Sequence, residues 1–223
     1  PKLEAFLQKH PESIRVLSAR FHLGQCQFET GQTDKALTTL ETVVEAPLSD
    51  YHESALVLTA TLRYNREDWN EALSHYQRLE TVATLKRHVL EARIGIMRCS
   101  RKLDDGETVL AYMDPILTDP ETPADIVTAA RYNRALLLLE RSPEEARADL
   151  EWLAEDGPHA EEASHHLAAL TLNGGDAPGC QTAVFAQLNR FGGGSEWAYR
   201  SFLLLSESYL VQGDLFQART TIE

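Results

Sequence analysis

No stretch of this sequence is apolar for long enough to cross a bilayer. The longest purely aliphatic run is Ala135 to Leu139, where a spanning helix needs roughly 20 such residues. Cysteine is scarce: Cys26, Cys99 and Cys180 stand far apart. Without a Cys-x-x-Cys pair there is no zinc ribbon or redox motif, and an odd count cannot close a set of internal disulfides. Each thiol falls in an apolar helical pattern, where it acts as a small hydrophobe. Positive charge is in deficit, since 21 Lys and Arg face 34 Asp and Glu, a net −13. Such a chain is a poor general binder of phosphate backbones, which call for clustered positive charge. Sustained period-2 alternation is missing, so strands are not expected. A signal segment, nucleophile elbow, phosphate loop and paired-glycine fingerprint are also missing. Gly192-Gly193-Gly194 has no following lysine and reads as a flexible or tightly turning linker.

What is present is a globular balance, 43% apolar and 25% charged, arranged with a period. Small-residue-led segments begin at Ala36, Ala72, Ala146 and Ala218, with separations of 36, 74 and 72 residues. Weaker copies are expected at the missing steps, Thr108 leading to Tyr112 and Gln181 leading to Phe185. Each period holds two helical patterns. The first carries a small residue mid-helix, as in Leu23-Gly24, Thr59-Ala60, Ile94-Gly95 and Leu205-Ser206. The second places a small residue, a large one and an apolar one at i, i+4 and i+7, as in Ala72, Tyr76 and Leu79, which marks one helix face. Turn formers separate the two: Gly31, Ser142-Pro143, Gly174-Gly175 and Gly213, with glycine supplying the left-handed residue that ends a helix. Pro11, Pro47, Pro120 and Pro158 follow the second helices and block continuation. One helix pair of this length cannot bury its own apolar face, but stacked copies can.

These residues resemble the tetratricopeptide repeat family. The last copy carries the resemblance best, through Phe202, Leu205, Ser206, Tyr209, Gly213-Asp214, Ala218 and Ile222. The first (Leu23, Gly24, Gly31, Ala36, Leu40, Val43) and second (Leu56, Ala60, Trp69, Ala72, Tyr76, Leu79) follow. The resemblance implies an all-α fold, a right-handed α-solenoid of stacked helix-turn-helix repeats forming a single array over 1–223. Residues 1–11 would end an upstream repeat. Repeats would occupy 17–48, 53–82, 88–119, 124–158, 160–191 and 199–223, the last truncated, as expected of a piece of a longer protein. The closing stretch looks like multi-repeat proteins of Bacteroidetes-type bacteria, often exported, which leans the expected location toward the periplasm over the cytoplasm.

The resemblance also implies a function: a non-enzymatic scaffold or adaptor whose first helices line a concave groove for a peptide or partner helix. The expected groove residues are Phe21, Gln25, Phe28, Val57, Thr61, Tyr64, Arg93, Ile96, Tyr132 and Leu136, an aromatic-rich set suited to apolar anchoring. The Lys, Asn and Arg clamp with which some relatives grip a terminal carboxylate is missing from these faces. Other roles open to such a fold are a structural spacer in an envelope assembly, or the repeat region of a larger enzyme or regulator. The partner class is protein or peptide, with no nucleic acid. No cofactor is expected. The metal candidate is His159 to His166, where Glu162 and His165 form Glu-x-x-His. A di-iron bundle needs a second copy and two further inward carboxylates, so this segment reads as a solvated helix start favoured by Glu161 and Glu162.

Overall fold

The structure, a computed structural model, describes residues 2–47 and 49–223. Among these residues every regular element is a helix. The chain divides into two compact units that meet between Thr122 and Pro123. In the first, α1 (Lys2–Lys9) precedes three antiparallel pairs: α2 (Val16–Glu29) with α3 (Thr33–Val44), α4 (His52–Asn65) with α5 (Trp69–Val82), and α6 (Lys86–Lys102) with α7 (Gly106–Leu117). The second holds α8 (Ala124–Arg141) with α9 (Arg147–Glu155), α10 (Ala160–Asn173) with α11 (Ala177–Phe191), and α12 (Glu196–Val211) with α13 (Leu215–Ile222). A 3-10 turn, Pro143–Ala146, leads into α9. Within each unit the pairs stack as an α-solenoid. Among the described residues no helix is long and apolar enough to cross a membrane.

One turn recurs inside the pairs. Five of the six first helices end on a residue with positive φ: Gly31, Glu67, Asp104, Gly175 and Gly213, with φ of 72, 66, 61, 88 and 81°. In each, the next residue donates its N–H back five positions: Gln32 to Gln27, Asp68 to Arg63, Asp105 to Ser100, Asp176 to Thr171 and Asp214 to Tyr209. This is the Schellman closure, which satisfies carbonyls the helix end would leave bare. Three of those next residues also start the second helix. The carboxylates of Asp105, Asp176 and Asp214 accept from the backbone N–H three residues on, an N-cap. The fourth pair uses the 3-10 turn instead, one residue shorter.

Counting from this turn corrects the register of the weak copies. The buried small or apolar residue lies five positions on: Ala36, Ala72, Val109, Cys180 and Ala218. Val109, Met113 and Ile116 are therefore the core face of α7, and Thr108 and Tyr112 lie beside it, half-buried. In α11 the core face is Cys180, Val184 and Gln187, whereas Gln181 bonds Gln212 at 2.9 Å and Phe185 is exposed. Seven positions before the turn lies the mid-helix residue of the first helix: Gly24, Ala60, Met97, Ala168 and Ser206. All five are buried. A Cβ on Gly24 would lie 2.6 Å from Cγ of Leu40, so glycine there lets α2 close on α3. Ser206 keeps the close approach by donating its hydroxyl to the Ala218 carbonyl at 2.8 Å. Gly95 is not in this series. It admits the ring of Tyr76 from α5, 2.4 Å from where its Cβ would stand.

Successive pairs are clipped at both helix ends. Arg78 on α5 donates to the Val44 carbonyl at the end of α3, 2.9 Å. Arg190 on α11 likewise donates to the carbonyls of Ala154 and Glu155 at the end of α9, 2.7 and 2.6 Å. A cation at a helix C-terminus meets its negative pole. The first helices use the opposite charge: Glu53 on α4 binds the start of α6, and Glu161 on α10 binds Ser195, the N-cap of α12.

Glu67 and Asp104 hold the left-handed conformation despite carrying a Cβ, which costs L residues about 1–2 kcal/mol. Glu67→Gly is expected to raise the denaturation midpoint, by up to about 1 kcal/mol after glycine's greater chain entropy is subtracted. A chemical denaturation curve checks the sign.

Candidate functional site

The second helices of the first unit bury their apolar face in the core, and the first helices beside them present a row of side chains on one face. In the first unit, the residues six positions before the turn are Gln25, Thr61 and Arg98, one from each of α2, α4 and α6. Those ten before it are Phe21, Val57 and Ile94, and those two before it are Glu29, Asn65 and Lys102. Gln25 and Thr61 are half-buried, whereas Arg98, Glu29, Asn65 and Lys102 are exposed. This row is the candidate interaction face.

The expected groove residues divide over it. Gln25 and Thr61 lie on the row, Thr61 Oγ1 within 3.3 Å of the Tyr76 hydroxyl. Phe28, Val57 and Tyr64 are half-buried and packed onto the core. Phe21 belongs to that core at 9% exposure and sits against Tyr51 with ring centres 5.2 Å apart. Ile96 is fully buried. Arg93 points to Glu80, with Nε 3.3 Å from Oε1, while the Tyr112 hydroxyl donates to the other oxygen at 2.6 Å. Ile96 follows from reading Gly95 as the mid-helix residue; with Met97 in that place the corresponding residue is Arg98. In the second unit Leu136 is half-buried and Tyr132 belongs to a polar layer.

That layer replaces the solvated helix start expected at His159–His166. Tyr132 on α8 stacks on His159, ring centres 3.8 Å apart, and donates its hydroxyl to Glu162 at 3.1–3.2 Å. His159 Nδ1 and His166 Nε2 each stand 3.9 Å from that carboxylate. Ser201 on α12 donates to Gln187 Oε1 at 2.7 Å, so its oxygen accepts from His165 Nδ1 at 2.8 Å. A hydroxyl has one proton to give, which fixes the His165 proton on Nδ1. The Trp197 ring lies 5.4 Å from both His165 and His166. Burial, reinforced by the neighbouring His166 and Arg200, lowers the His165 pKa to about 4, and burial lowers that of His166 against the pull of Glu162. Among the described residues no group of three or more His, Cys, Asp or Glu is placed to hold a metal ion.

The feature that the sequence reading missed is charge on α6. Its segment KRHVLEARIGIMRCSRK holds six of the chain's 21 cationic residues and one acid, Glu91. Lys86, Arg87, Arg98, Arg101 and Lys102 are exposed. On α4 and α5 and the turn between them the arginines are engaged: Arg63 with Glu41 and Asp68, Arg66 with Asp34 and Asp68, Arg78 with Glu45. Among the described residues Lys86, Arg87 and Arg98 form no ion pair. The start of α6, where cations oppose the helix dipole, is stabilised from outside. Glu53 accepts from the backbone N–H groups of Thr84 and Leu85 and the Thr84 hydroxyl, and bonds His88 Nδ1, at 2.6–3.4 Å. Burial alone would raise the Glu53 pKa, but these bonds outweigh it and hold the carboxyl at about 2.

Comparison with known proteins bears on the fold. Residues 18–49, which span α2 and α3, match the tetratricopeptide repeat family. The fold is that of the tetratricopeptide-repeat solenoids. It is similar to a tetratricopeptide repeat protein from Parabacteroides merdae, at 19% identity over 98% of this chain and 81% of that one, TM-score 0.56. YrrB, described as a TPR protein with an unusual peptide-binding site, aligns at 14% identity over 98% and 97%, TM-score 0.59. PilW, a type IV pilus biogenesis factor, aligns at 16% identity over 94% and 91%, TM-score 0.50. At these identities the likeness is one of fold. No curated protein matches by sequence. In tetratricopeptide-repeat terms, α2, α4, α6, α8, α10 and α12 are the first helices of six repeats.

The lowered histidine pKa values carry a sign. Between about pH 6.5, where an unfolded histidine protonates, and about pH 4, the unfolded chain binds a proton that folded His165 refuses. Stability is therefore fully present above pH 6.5 and declines as pH falls toward 4, by at most about 3 kcal/mol for this residue. Denaturation curves across that range should show the decline, and His165→Gln should flatten it.

Proposed function

We propose that this chain is a protein-binding scaffold, not a catalyst, and that the open face of its first helices takes a segment of another protein. The observation that carries this reading is the division of labour in the repeats. The apolar faces of the second helices are spent on packing, and a row of half-exposed and exposed side chains is left on one face of α2, α4 and α6. A preformed face of this kind costs little ordering on binding. The peptide-binding site named for YrrB is in keeping with it. Of the thiols on these first helices, Cys99 is fully buried inside α6, and burial pushes it up to about 11.

The test is affinity capture from source-cell extract with wild type beside His22→Ala, Gln25→Ala, Asn65→Ala. These side chains are at least partly exposed, so the fold should change by less than about 0.5 kcal/mol. A protein held by wild type and lost by the variant is the expected result. Equal capture by both places binding off this face.

A further inference from the structure

The geometry points to an acidic partner segment for the first unit: a stretch of about seven residues with carboxylates at both ends and an apolar residue between them, docked along α6. This rests on the open face being the binding face, and adds what that face selects.

Three observations converge. Arg87, Glu91, Ile94, Arg98 and Lys102 follow one another at helical spacing on the exposed side of α6. From Arg87 to Lys102 the helix rises about 22 Å, which an extended chain covers in about seven residues. Cations stand at the two ends, Lys86 and Arg87 at one and Arg98, Arg101 and Lys102 at the other, with half-buried Ile94 between. At the C-terminal end Arg101 and Lys102 stand where the helix dipole favours a cation; at the N-terminal end the fold does not call for the basic pair. Lys86 and Arg87 oppose the dipole of their own helix; the second helices α3, α5 and α7 and the first helix α4 all carry an acid in that turn. A local rule broken without structural return marks a functional position. Lys102 has a structural contact as well, its ammonium 5.7 Å from the Trp69 ring centre.

The same face discriminates among anions. Glu91 stands one turn from Arg87, between the two basic ends, so a partner with evenly spaced charges, such as a nucleic acid backbone, meets repulsion where a segment with an apolar centre does not. The net charge of −13 opposes a polyanion further. The length of the row also exceeds what one terminal carboxylate could satisfy.

The experiment is fluorescence anisotropy with a labelled, C-terminally amidated peptide, Glu-Glu-Ser-Leu-Leu-Ser-Glu-Glu, against the whole chain. Amidation removes the terminal carboxylate. The expected result is saturable binding that weakens with salt and disappears when Gln replaces Glu. Arg98→Glu with Lys102→Glu, and separately Arg87→Glu, should each weaken it about tenfold or more, with helicity unchanged by circular dichroism. Absence of binding to wild type, equal binding by both variants, or tighter binding of a DNA duplex or phosphatidylserine vesicles than of the peptide would overturn the proposal. If the peptide fails while a captured protein is still lost from the His22, Gln25, Asn65 variant, the charge assignment falls and the scaffold reading stands.

Discussion

The left-handed residue that closes five of the six first helices sets the register of what surrounds it. Once Gly31, Glu67, Asp104, Gly175 or Gly213 turns the chain, the residue five positions on must enter the core, and the residue seven back must meet the facing helix. Ala36, Ala72, Val109, Cys180 and Ala218 obey the first demand. Gly24, Ala60, Ala168 and Ser206 meet the second with small side chains, and Met97 meets it with a flexible one. The backbone closure is local, so each pair can form without its neighbours. Burial of the pair's remaining apolar face then requires the next pair.

That requirement also explains why one face is left over. Within a unit, a first helix packs against its own second helix, against the second helix of the preceding pair and, more lightly, against a neighbouring first helix, and those contacts use three sides of the cylinder. The fourth carries what packing does not constrain. On α2 and α4 it is polar and neutral in the main; on α6 it is strongly basic. The aromatic side chains near it, Phe28 and Tyr64, lie deeper and fasten one repeat to the next. In the second unit Tyr132, His159, Glu162 and the His165–Ser201–Gln187 chain form a polar layer between helices, and the corresponding row on α12, Leu203, Glu207 and Val211, is exposed. The two units thus share an architecture and differ in what their first helices offer.

Much of the fold was legible because glycine and alanine advertise their positions. The turns at Gly31, Gly175 and Gly213 and the buried alanines at 36, 72, 146 and 218 are visible in the bare sequence. Copies three and five were misregistered for a physical reason. Asp104 does glycine's work with an ordinary side chain, Val109 and Cys180 replace alanine, and Gly95, two residues from the mid-helix position, serves a different contact. Ile96 was assigned to the groove by that same shift. The basic face of α6 was hidden by averaging, since a net −13 over the chain conceals a helix of opposite sign. The histidine layer could not be read because its partners come from three helices, and a segment rich in His and Glu resembles a solvated surface until α8 and α12 are laid against it.

The most direct test of the account is an amide-resolved NMR titration of the chain with the amidated acidic peptide. Shifts should appear first along α6 at Arg87, Ile94 and Arg98, then at Asn65 on α4 and Gln25 on α2, with α3, α5 and α7 unchanged. Shifts confined to α3, α5 and α7, with the first helices silent, would contradict the claim that the face left over by packing is the face that binds.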